Sequence, residues 1–133
     1  MTDMHLVQSP PRQRSATVGL TEAVIDLSAE RDTTVALVPL GYADGIPRVA
    51  VRRASVLCRG VRMPVIGRIA MDQFVVDAGD VPVEPGEPVT IFGDGTNGEP
   101  TAEDWADWAG TIPHEIYCGI GPRVQRRFEE AGR

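Results

Sequence analysis

Residues 33–47 read TTVALVPLGYADGIP, and this stretch decides the fold. Its first half, TTVALVPL, opens on β-branched residues and is almost continuously apolar, the pattern of a strand buried within a sheet. Its second half, GYADGIP, places two glycines, an aspartate and a proline in seven positions. That composition ends a strand and builds a turn, so Tyr42 is expected on a loop at the strand's C-terminal end.

The same grammar continues downstream. Residues 48–58, RVAVRRASVLC, alternate through their first half and again over 55–57, which predicts one long bent strand or two short ones. Arg59 and Gly60 mark a turn. Residues 63–69 and 73–78 are further β-type runs, 79–88 form a turn region with three prolines, and 89–92 make another short strand. GDGTNGEP at 93–100 is a glycine-rich loop. Thr101 and Asp104 have capping-box spacing and Gly110 follows Ala109, which predicts a helix of about two turns. On it Trp105 and Trp108 share a face with alanines and are expected to pack against the sheet. Residues 114–120 suit a second short helix and 123–128 a closing strand. Upstream, 18–27 hold short apolar stretches and 30–32 a charged turn. Residues 1–16 lack a hydrophobic period and read as a flexible or loosely docked arm, leaving 17–133 as the folded unit. The expected class is mainly β: a single barrel-like domain with short helices near its C-terminus.

Composition narrows the function. A chain of 133 residues, 42% hydrophobic and 24% charged, is the size of one domain that buries roughly two-thirds of its unfolded surface. No apolar run approaches the ~18 residues of a membrane span, and the N-terminus lacks the core of a secretory signal, so a cytoplasmic location is expected. A net charge of -6 argues against nucleic acid as a partner. Cys58 and Cys118 lack metal-ligand spacing and are assigned no role; no metal site is expected. All 13 basic residues are arginine, and the chain contains no lysine.

Three segments in order, VPLGYADGIPR (38–48), PVIGRIAMDQFVVDAG (64–79) with PGEPVTIFG (85–93) after it, and AGTIPHEIYCGIGPRVQRRF (109–128), resemble the C-terminal β domain of alanine racemases. The resemblance implies a partner architecture. In that family an α/β barrel holds pyridoxal phosphate (PLP) through a lysine, the β domain follows, and a head-to-tail homodimer sets each active site between one subunit's barrel and the other's β domain. It further implies that Tyr42 is the acid/base on one face of the substrate, opposite the barrel lysine. Met71, of the G-R-x-x-M-D segment, and Asp72 beside it are implied to hold the substrate carboxylate. Arg68 and Asp44 match positions expected to serve structural pairing or interface contacts.

The chemistry is consistent with such a division of labour. Racemisation removes the α-proton of an amino acid from one face and returns one to the other, which calls for acid/base groups on both sides. PLP is held by a lysine amine, and this chain offers no side-chain amine. It is therefore expected to be incomplete alone: it binds no cofactor by itself, with PLP supplied by a barrel. The leading expectation is a domain supplying Tyr42 to a PLP barrel in trans for L-alanine/D-alanine interconversion, with a homodimer or a separate barrel protein as partner and a small amino acid as substrate. The initial Met1 and the C-terminal end favour a complete small protein over an excised domain. The alternatives are a stand-alone small-molecule-binding, regulatory or structural β module without racemase activity, and an enzyme repurposed for other chemistry in its own cavity. The chain departs from the family at several places: Pro122 precedes Arg123, Gln125 stands where a second proline is usual, Ile46 replaces a common aromatic, and 21–24 read TEAV where a V-S-Y-G-like strand is usual.

Overall fold

The computed structural model describes residues 4–9, 13–19, 24–28 and 32–128, with side chains over 34–125. Among these, nine strands join in one sheet. In chain order they are β1 (Met4–Ser9), β2 (Gln13–Gly19), β3 (Val24–Ser28), β4 (Asp32–Val38), β5 (Ser55–Cys58), β6 (Val61–Ile66), β7 (Phe74–Gly79), β8 (Pro88–Phe92) and β9 (Gln125–Phe128). The spatial order is β3-β4-β7-β6-β5-β8-β2-β1-β9. Every pairing is antiparallel except that of β1 with β9. Two short helices, α1 (Ala102–Ala109) and α2 (Pro113–Cys118), lie between β8 and β9 in the chain. The domain is mainly β and barrel-like, as its sequence predicts.

Strand alternation builds the core. Along β7, Phe74, Val76 and Ala78 are buried while the residues between them are half-buried, and β5 and β6 add Val56, Cys58, Met63 and Val65. Helix α1 closes over this layer. Its N-cap Thr101 side chain accepts from the Asp104 amide at 3.1 Å, the Asp104 carboxylate accepts from the Thr101 amide at 2.9 Å, and Gly110 ends it at φ 73°. Trp105 is buried and its Nε1 donates to the Ile91 carbonyl at 2.7 Å, so its one polar atom is satisfied inside the core. The Trp108 ring meets it edge-on at 5.2 Å. Both tryptophans pack, as expected.

Two expectations need correction. Residues 48–54 are not strand: Arg48–Ala50 is a 3-10 turn started at Pro47, and the Ala54 amide donates to Ala50 O at 2.9 Å. Period-two alternation would put Val49 and Val51 on a buried face, yet Val49 is 73% exposed and Ala50 and Ala54 are buried. The small alanines four apart pack inward as on a helical turn, and proline fixes the backbone dihedral that begins it. The second correction is at the N-terminus. Within 1–16, read as an arm, the described residues contribute β1 and the first part of β2. The two strands pair with each other as a hairpin and dock onto β8 and β9, some 70 to 120 positions away in the chain, and that non-local docking leaves no local period to read. The charged turn at 30–32 falls largely outside the described residues.

Candidate active-site face

The site is built where β4 ends. Gly41 lies against the turn between β6 and β7 so closely that a β-carbon on it would stand 2.1 Å from the Ala70 carbonyl oxygen and 2.3 Å from the Met71 carbonyl carbon. Only glycine fits there. Contact at this range lets the loop bond to that turn: the Tyr42 amide donates to Ala70 O and the Ala43 amide to Met71 O, each at 3.0 Å. Tyr42 and Met71, far apart in sequence, thus become neighbours on one backbone ladder. Their side chains are open to solvent, at 46% and 56% exposure.

Asp44 holds the loop from beneath. It is 2% exposed, and its Oδ2 accepts from the Gly41 amide at 3.0 Å. Arg123 grips the same carboxylate with both arms of its fork, Nε to Oδ1 at 2.8 Å and Nη2 to Oδ2 at 2.6 Å, and reaches the Pro39 carbonyl at 3.2 Å. The Gly121 amide donates to Asp44 O at 3.1 Å, in a contact where a β-carbon on Gly121 would be 2.7 Å from Ala43 O. Burial pushes the Asp44 carboxyl up, but the Arg123 and Gly41 hydrogen bonds and the Arg123 charge outweigh it and hold the group below the usual carboxylate value. Arg123 is held more firmly protonated by its hydrogen bond to Asp44, with Asp72 adding to the negative field. The clamp therefore fixes the Tyr42 backbone between the β6–β7 turn and the segment leading to β9.

On the open side, the Arg48 guanidinium carbon stands 5.5 Å from the centre of the Tyr42 ring, within cation–π range. An open groove runs from Tyr42, Ile46 and Arg48 on one wall to Thr111, Glu115 and Gly119 on the other. Among the described residues no side chain hydrogen bonds to the Tyr42 hydroxyl. Asp72 and Arg68 are exposed. Asp44 does enter a structural ion pair, with Arg123; Arg68 makes none among the described residues. Sequence reasoning missed Arg48 as the cation on the ring and Arg123 as the partner of Asp44.

These residues do not fit PLP as a group held by this chain. Its attachment needs a lysine amine, and the sequence has none. Among the described residues no group of three or more His, Cys, Asp or Glu is placed to hold a metal ion.

Fold and face together define a domain of the racemase type. The alanine racemase C-terminal domain model matches residues 5–128, and the chain belongs to that family. It is similar to the alanine racemases of Streptomyces coelicolor (60% identical over 97 residues, 73% of the chain and 25% of the relative) and Salinispora arenicola (52% over 103 residues, 77% and 28%). Among solved structures it resembles alanine racemase from Streptomyces lavendulae, at TM-score 0.80 and 45% identity over 87% of the chain and 33% of the other. It also resembles the Bartonella henselae enzyme with covalently bound pyridoxal phosphate, at TM-score 0.75 and 28% identity over 87% and 32%. The chain spans about a quarter of the length of the curated relatives it matches.

Proposed function

We propose that this chain acts as an alanine racemase-type β domain, presenting Tyr42 to a PLP-bearing barrel supplied by another chain, in the interconversion of L- and D-alanine. The observation that supports this best is the Asp44–Arg123 clamp. It spends a buried carboxylate, a forked arginine and two close glycine contacts on fixing a loop whose Tyr42 side chain stays about half-exposed beside an open groove. A rigid mount under an exposed aromatic suits a residue whose partner comes from outside the chain. Met71 stands beside it, and Val49 and Ile112 leave further apolar surface exposed, as on a face that another protein covers.

In this reading the phenol oxygen of Tyr42 carries a proton to and from the substrate α-carbon, while Met71 and Asp72 lie at the substrate carboxylate. One observation favours a second role for Tyr42. Its ring is occupied by Arg48, and no described side chain bonds to its hydroxyl, so the ring itself can serve as a wall of the substrate site, with proton transfer left to another group. The stand-alone module without racemase activity is the reading in which no barrel binds at all.

Association tests the proposal. The chain is mixed with the N-terminal barrel portion of a matched racemase and followed by sedimentation. A complex is expected, and Val49→Arg or Ile112→Arg should weaken it, because a buried unpaired charge at an interface is costly. The absence of any complex at tens of micromolar, with both partners folded, would leave the stand-alone module as the better reading.

A further inference from the structure

We propose that Cys118 is a thiol–disulfide exchange site, with His114 as the base that takes its proton and low-molecular-weight disulfides as its substrates. The two residues stand four apart on α2, a spacing that puts them on one helix face. Cys118 Sγ lies 3.4 Å from His114 Nε2. In the tautomer that carries its hydrogen on Nδ1, the imidazole accepts the thiol hydrogen through Nε2. Nucleophile and base are thus within hydrogen-bonding reach, the arrangement that activates a cysteine. The face is open: Cys118 and His114 are both exposed, while Ile116 anchors the opposite side of α2 in the core.

The rest of the molecule makes this pair distinctive. Cys58 is fully buried on β5, and burial pushes its thiol up, with Glu87 adding to the effect. Cys118 is the one exposed cysteine among the described residues. The step balances simply. Cys118 gives its proton to His114, the thiolate attacks one sulfur of the disulfide, the new Cys118 S–S bond forms as the old S–S bond breaks, and the departing thiolate leaves with the proton from the imidazolium. The proposal depends on neither a barrel nor Tyr42.

The test treats the folded chain with oxidised glutathione at pH 7 and maps the adduct by peptide mass. One mixed disulfide at Cys118 is expected, with Cys58 unmodified until the chain is unfolded. His114→Gln, an exposed change that keeps side-chain size, should slow the exchange about tenfold or more, and Cys118→Ser should abolish it. In urea, where the pair is dispersed, Cys118 should react no faster than Cys58 and more slowly than in the folded chain. A His114→Gln rate equal to the parent's overturns the proposal. So does a folded-state rate no greater than that of unfolded Cys118, or an adduct on Cys58 in the folded chain.

Discussion

At the scale of single residues, the loop carrying Tyr42 depends on one missing side chain and one buried charge. Gly41→Ala would drive a methyl group into the Ala70 and Met71 carbonyls, and both backbones must move to admit it. A loss of about 3 kcal/mol in denaturant unfolding is expected. Asp44→Asn keeps an acceptor for the Gly41 amide but removes the charge-assisted fork with Arg123, whose half-exposed side chain can still turn to water; about 2 kcal/mol is expected. The pH dependence has a definite sign. The folded carboxyl of Asp44 sits below its usual value, so its contribution is complete above the unfolded value and is lost as pH falls through the folded one. Stability of the parent should therefore decline faster than that of Asp44→Asn below about pH 4, as acid titration of the unfolding midpoint would show. That Tyr42 and Asp44 lie on the loop after β4, and Met71 on the turn between β6 and β7, is legible in the sequence because short local motifs carry them. The Asp44–Arg123 pair is not. Its members are 79 positions apart, and nothing in the composition of either segment names the other.

Secondary-structure elements divide along the same line between local and non-local causes. The α1 cap, its Gly110 terminator and its inward tryptophans follow from spacing within a dozen residues, and the structure has each of them. Thr101→Ala removes the acceptor for the Asp104 amide and should cost about 1 kcal/mol, measured by thermal or denaturant melting followed by circular dichroism. The 48–54 turn misleads because its valines alternate like a strand, while the burial of Ala50 and Ala54 that decides its conformation comes from packing. Strands β1 and β2 pair locally with each other, but they gain their place in the sheet from β9 and β8 far along the chain, so residues without an apolar period still enter it. Strand existence can be imposed by a neighbour, whereas a helix cap is written where it stands.

As a whole molecule, the chain is a family domain a fraction of the size of its relatives, with a net charge of -6, no lysine and, among the described residues, no helix long and apolar enough to cross a membrane. Its lysine-free composition makes a direct prediction: borohydride treatment in the presence of PLP should leave no stoichiometric pyridoxyl adduct on any side chain, as peptide mass analysis would reveal. The proposed function has this domain complete a racemase site together with a barrel from another chain. The measurement that tests it most directly is alanine racemisation on mixing, with the chain, its Tyr42→Phe variant and the barrel portion of a matched racemase followed by optical rotation. Activity should appear only when chain and barrel are combined. If Tyr42 transfers the proton, the phenylalanine variant should bind as well and restore at least about 10²-fold less activity; if Tyr42 only walls the substrate site, it should restore nearly as much. A stable complex that racemises no alanine would contradict the account.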